Sequence, residues 1–325
     1  MFHPRLQKLD LRNNQVTTVN RSHMEGAVSI DALDFTNNPV ASVGPATFQN
    51  LVVTNDLAFG DASFPSFPTG CFSNSSIRVL TVSHNPNFHL STKGAFAGMT
   101  ASNIFLSNVP NLTEIASGVF EGVSMGYLKI TASSLAVIRS RAFAGASGRV
   151  NVANQPVQRI EADAFYQAAM SSVDMERTRI HGIASGAFRQ LSCDSLVLRN
   201  AGVANISTLA FQGARVGELD LSANPLTSIE PHAFLDASIR TLLNLASGEP
   251  FQMQAGVFDA LTMKGASVRF TSLGPSVLRA LGCVCVCVQV ADCVCLCFFH
   301  SQCGHSIRAI RRCRGQRRLA CRRHH

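Results

Sequence analysis

Apolar residues return along this chain at two nested intervals. At the shorter one they alternate with polar residues in an apolar–x–apolar triplet: Leu9/Leu11, Leu33/Phe35, Leu57/Phe59, Leu80/Val82, Ile104/Leu106 and Leu128/Ile130. The series continues as Val150/Val152, Val173/Met175, Leu196/Leu198, Leu219/Leu221, Leu243/Leu245 and Val268/Phe270. Alternation over so few residues predicts a short, half-buried strand at each triplet. Ten triplets are followed by a Phe, at 48, 72, 96, 120, 143, 165, 188, 211, 234 and 258, spaced 22 to 24 residues apart. A small residue usually precedes it, as in Ala95-Phe96, Ala142-Phe143 and Ala187-Phe188. Between strand and Phe lie two more apolar positions, such as Val16 and Val19, Leu135 and Ile138, or Ile180 and Ile183.

Each unit thus offers a strand, a middle pair and a Phe, all aimed at one interior. A unit of this size cannot bury that set alone, so successive units must stack into a continuous core. The strands are predicted to form a parallel sheet with a pitch of ~4.8 Å. The Phe residues should line the opposite wall. A convex wall longer than the strand wall predicts an arc.

The segments LQKLDLRNNQVTTV and VGELDLSANPLTSIEPHAF resemble the leucine-rich-repeat family, in the 23–24-residue class common in extracellular proteins. The resemblance covers residues 6–282. It implies an α/β-type solenoid of twelve coils, with a parallel sheet on the concave face and irregular or short helical turns on the convex face. It also implies a non-enzymatic scaffold that recognises a protein or glycan. The family places Asn three residues after the second strand apolar residue. Here that slot holds Asn14, Asn38, Asn85 and Asn224, but Ala62, Val109, Ser133, Gln155, Thr178, Ala201, Gly248 and Leu273 in the other units. Buried backbone groups still need partners, so the middle coils should rely on Ser, Thr, Gln or water and be less regular, as in the degenerate surface-antigen repeats of bacteria and protists.

Composition and charge make sense only once they are located. Of 28 basic and 20 acidic residues, eight Arg and Asp292 alone lie in 283–325. The net charge of +8 therefore belongs almost wholly to that tail, and residues 1–282 hold 20 basic and 19 acidic groups. A balanced body gives no electrostatic case for nucleic-acid binding. Nine of the 11 cysteines also fall in the tail. Its Cys/Val alternation is what translation of a TG dinucleotide repeat would give, and the repeat period is lost there, which points to read-through. Two other readings stay open. Residues 281–299 could anchor in a membrane ahead of an Arg-rich flank, although Asp292 opposes it; or Cys297, His300, Cys303 and His305 could hold a metal, in a spacing unlike standard zinc patterns. The domain division is thus 1–282 for the repeats and 283–325 for the tail. The first residues enter a repeat with no basic-then-apolar leader, which suggests a fragment whose start is missing.

No H-E-x-x-H, phosphate loop, dinucleotide fingerprint or G-x-S-x-G elbow occurs, and no cofactor is expected. Cys71 stands in the small-residue slot before Phe72 and reads as a buried hydrophobe. Cys193 precedes the triplet at 196–198, five repeats away and beyond disulfide reach. Sequons at Asn20, Asn74, Asn111 and Asn205 are compatible with glycosylation but match the number expected by chance.

Outward-facing strand residues carry no packing duty, so the strand face is the predicted interaction surface. Its richest charged cluster is Asp174, Glu176, Arg199, Glu218 and Asp220, and its aromatic anchor is Phe105 with Tyr127. The expectation is a secreted or cell-surface recognition module of a receptor or adhesion protein. The alternatives are a structural surface array without a specific ligand, or the ectodomain of an enzyme-linked receptor.

Overall fold

The computed structural model describes residues 8–247, 251–263 and 266–270, together with the backbone strands Cys287–Val290 and Val294–Cys297. Twelve parallel rungs run from Lys8–Asp10 to Ser267–Arg269 and bound eleven complete turns, one fewer than the twelve coils expected. The first apolar residue of every triplet pairs with its equivalent on the next rung, so Leu9, Leu33, Leu57, Leu80, Ile104 and Leu128 begin one unbroken inward column. A slip of one residue would turn that column outward, which is why the register holds.

Coils of unequal length are reconciled at bulges before the triplet. The register shifts between Val53 and Asp56, Ser124 and Leu128, Gly148 and Arg149, and Val216 and Glu218. Gly148 lies at φ +122°, where a Cβ would come within 1.4 Å of the Met125 carbonyl oxygen, so only glycine fits that bulge. Upstream of the triplet the strands bury one further inward residue, in a column that includes Ile77, Met125, Met170, Cys193, Val216 and Ile239.

The other two walls are also laddered from coil to coil. Two-residue parallel strands such as Gly182–Ile183, Asn205–Ile206 and Ser228–Ile229 form the lateral wall. On the Phe wall the backbone N–H of Phe143 donates to Ala164, that of Phe188 to Ala210 and that of Phe211 to Ala233. Of the irregular or short helical turns expected there, these are the irregular kind. Among the described residues the one helix is a 3-10 turn, Arg21–Met24. Each Phe of the column from 48 to 258 is flanked two residues before and two residues after by a left-handed residue, for example Gly118 and Gly122 around Phe120, or Asp163 and Gln167 around Phe165. Two such residues fold the chain sharply enough for the Phe to point inward without a helix.

That construction bears on shape. Successive Phe rings from Phe48 to Phe258 stack at centroid separations of 4.9 to 5.9 Å. This is within about 1 Å of the ~4.8 Å strand pitch. Helices, about 10 Å across, would have splayed the coils. Hydrogen-bonded turns do not, so the Phe wall keeps nearly the pitch of the strand wall.

At Asn38, Asn85, Gln155 and Asn224 the polar slot after the strand works across coils. The Asn224 amide donates to Leu198 O and Leu221 O, and its Oδ1 accepts from the N–H groups of Ala201 and Val203 one coil earlier. Asn38 likewise accepts from Val16 N–H, and Asn85 donates to Phe64 O. Gln155 accepts from Ser133 N–H one coil earlier, whereas Thr178 donates within its own coil, to Met175 O. The apolar slot at Ala201 is therefore served by the amide of the following coil, and in the coil of Ala62 the following amide reaches Phe64 O. The middle coils are correspondingly regular, contrary to expectation, with rings 120 through 211 stacked at 6° to 22°.

At the far end, Cys287–Val290 adds one parallel strand beside Ser267–Arg269, and Val294–Cys297 returns antiparallel to it. The remainder of the proposed membrane anchor, and the candidate metal ligands beyond Cys297, lie outside the described residues. No helix among the described residues is long and apolar enough to cross a membrane.

Truncating Phe188, which is fully buried between Phe165 and Phe211, should destabilise the array by ~3–5 kcal/mol. Urea unfolding of Phe188→Ala against wild type measures it, and an unchanged midpoint would disprove the stacked core. Gly122 has φ +68°, and nothing lies within 4 Å of the point a Cβ would occupy there, so Gly122→Val tests backbone conformation alone. It should cost ~1–2 kcal/mol, whereas Gly122→Asn should melt close to wild type.

Candidate functional site

The strand face sorts its outward residues into three columns, two residues apart along each strand. Asp174, Val197 and Asp220 are register partners on successive rungs. The two Asp residues are therefore two rungs apart, with Val197 between them. Glu176 and Arg199 occupy neighbouring positions one pleat further on, yet they form no ion pair, and Glu176 instead lies 3.7 Å from Arg177. Glu218 stands in the third column beside Ser195. The predicted cluster is thus spread over three rungs and three columns and is not a closed constellation.

Local turns fix several of these groups. Asp174 Oδ1 accepts from Glu176 N–H at 3.0 Å, and Asp220 Oδ1 accepts from Ser222 N–H at 2.9 Å. Such side-chain-to-backbone bonds follow wherever Asp or Asn precedes the left-handed turn. Asn151 repeats the arrangement toward Ala153 N–H at 3.2 Å and donates across the rung to Asp174 Oδ2 at 3.0 Å.

Phe105 and Tyr127 do meet, edge to face, with ring centroids 6.2 Å apart. Sequence reasoning missed the third member: the Arg149 guanidinium lies 5.8 Å from the Tyr127 ring centre. All three are on adjacent rungs, and Phe105 and Tyr127 are half-buried. The strand-face register would have placed Arg149 beside Tyr127.

Asp174 and Glu176 also belong to something no pattern announced. They form one wall of an open groove of about 580 Å³, with Lys129, Thr131 and Asn151 on the sheet and Gln155 at its floor. It forms where the strands bend into the left-handed turns at Ala132 and Asn154. Arg199, Glu218 and Asp220 lie outside it.

A family relationship accounts for this geometry. The family model for the BspA type leucine rich repeat region matches residues 17–150 and 138–255, in six copies. The chain belongs to the BspA-type leucine-rich-repeat family. No curated protein matches it. BspA-type solenoids of this kind typically serve as binding scaffolds, so the strand face is the first place to look for chemistry of recognition.

The two body cysteines are buried in the BspA-type core and unpaired. Burial pushes the Cys71 thiol up to about 12, and that of Cys193 up to about 11. At neutral pH both are protonated, and the thiolate is the reactive form. Cys193 sits within the strand Ser192–Val197, pointing inward and donating to Ser195 O, and not ahead of the strand as expected. The four sequon residues differ: Asn74, Asn111 and Asn205 are exposed, whereas Asn20 is half-exposed and its side-chain oxygen accepts from Ser22 Oγ. Among the described residues no His/Cys/Asp/Glu group is arranged to hold a metal.

Iodoacetamide at pH 8 should leave Cys71 and Cys193 unmodified in the folded protein and alkylate both in urea, read by peptide mass mapping. Fast native labelling of either would show that its coil opens.

Proposed function

We propose that this protein is a non-enzymatic recognition scaffold, secreted or displayed at a cell surface, that binds another macromolecule through its strand face. The observation that carries the reading is a set of charges on the middle rungs of the strand face that the fold itself does not use. On the lateral and Phe walls the charges are spent within the fold: Arg139 bridges Glu114 and Glu161, Arg141 pairs with Glu121, and Arg189 binds Asp163 while lying 4.5 Å from the Tyr166 ring centre. Partial burial works to raise the Glu161 carboxyl, but Ser140 N–H and Arg139 outweigh it and hold it below the usual range. The strand face keeps pairs of its own, Arg12 with Asp10 and Asp34 and Arg240 with Asp194, but on its middle rungs Lys129, Arg199 and Glu218 make no ion pair among the described residues. Charges of both signs, held on a rigid sheet and not neutralised internally, suit a protein or glycan partner better than a polyphosphate backbone.

The surface placement rests on the family, whose BspA-type repeats typically occur in surface or secreted bacterial proteins. Asn74, Asn111 and Asn205 would accept glycans only in a host whose secretory route attaches them.

A photo-crosslinking residue at Val197 should capture a partner from an extract of cell-surface proteins, and the same residue at Gln212 on the Phe wall should not. Combining Asp174→Asn, Glu176→Gln and Asp220→Asn keeps the turn acceptors while removing three charges. It should weaken capture at Val197 about tenfold or more with an unchanged melting curve. Capture confined to Gln212, or indifference to the triple change, would overturn the strand-face assignment.

A further inference from the structure

The groove beside Asp174 is distinctive for what lines it. Its only apolar side chains are the methyl groups of Ala132 and Ala153. A peptide anchor residue would find no hydrophobic surface to bury against, and burial of such anchors supplies most of the energy of protein–protein contacts. A phosphate or sulfate group would meet two carboxylates on one wall. What the groove does provide is a dense alternation of donors and acceptors: the Lys129 ammonium, the Thr131 hydroxyl, the Asn151 amide, and the carboxylates of Asp174 and Glu176.

We propose that this groove is an oligosaccharide-binding site for neutral sugars, a refinement that rests on the strand-face reading above. A sugar hydroxyl is at once donor and acceptor. It is satisfied by a carboxylate on one side and an ammonium on the other, the pairing that Asp174 or Glu176 and Lys129 offer. Asn151, already bonded to Asp174 at 3.0 Å, has a second amide hydrogen to donate. Unpaired polar groups on either partner would be costly, so the mainly polar lining selects a polyhydroxylated ligand over an apolar one.

Two features strengthen the case. The first is preorganisation. Asn151 is held by Ala153 N–H and by Asp174, Asp174 by Glu176 N–H, and Gln155 by the N–H and hydroxyl of Ser133. These planar groups are already fixed, so little side-chain entropy remains to be lost on binding. The second is Tyr127, two residues before Lys129 on the same strand and facing the same side. Its ring stands outside the groove's own lining but on the same strand, an aromatic surface of the kind that complements the C–H face of a pyranose. Phe105 and Arg149 brace it on adjoining rungs. A chain of two to four sugars would run across the rungs from Tyr127 toward Asp174.

The test uses the full chain in solution against a defined panel: cellotetraose, chitotetraose, mannotetraose and laminaritetraose, with a heparin tetrasaccharide as the anionic control. Binding is followed by isothermal titration calorimetry and by chemical-shift or fluorescence change. At least one neutral tetrasaccharide should bind, the heparin fragment should not, and Asn151→Ala and Tyr127→Ala should each weaken binding about tenfold with melting curves like wild type. Asn151→Asp serves as a second variant, since it keeps the acceptor to Ala153 N–H and removes the donor. Failure of every neutral sugar to bind, or binding that survives both alanine changes, would overturn the assignment. If the sugars fail while Val197 still crosslinks a protein, the groove proposal falls and the strand-face reading stands.

Discussion

Everything in this molecule depends on the backbone pairing of each coil with the next on all three walls. A single β-sheet fixes a pitch along one face and leaves the opposite face free to be longer. Here the lateral strands and the Phe turns repeat the same hydrogen-bonding logic, so every wall is held near one spacing. The near-parallel Phe stack is a consequence of that pitch as much as a cause of it. Rings held about 5 Å apart by their own backbones have little choice but to lie face to face, and offset stacking of this kind is favourable.

That constraint explains which parts of the fold were legible in the sequence. The triplets and the Phe period are dictated by burial, and burial leaves a strong imprint on residue type, so the rungs, the core and the family could be read directly. The turn chemistry was not read, although its signal was present. Left-handed residues two before and two after each Phe are often Gly or Asn, yet Arg141, Leu209 and His232 adopt the same conformation. A backbone requirement that most residue types can meet at modest cost leaves only a faint imprint. Without it, irregular turns and short helices were equally open for the convex wall.

The candidate site shows the same division. Column membership followed from the triplets, so Asp174, Glu176, Arg199, Glu218 and Asp220 do share one face. They lie on three successive rungs, with Val197 between Asp174 and Asp220. The groove depends on where strands end and turns begin, and on Asn151 and Gln155 being pinned by neighbours. Those are relations between coils that no single repeat displays.

The backward reach of the slot amides has a consequence for how such an array can change its length. Asn224 completes the coil that contains Ala201, and Gln155 completes the coil that contains Ser133. The self-sufficient module is therefore not one repeat but a repeat plus the polar residue of its successor. A genetic deletion that excised the coil of Asn224 would join Ala201 to a neighbour without its acceptor and strand two buried N–H groups. Duplication or loss of coils should therefore survive most readily where the slot residue of the donor repeat and the slot of the recipient match. The scattered Asn, Gln and Thr would then be a record of which coils have long travelled together.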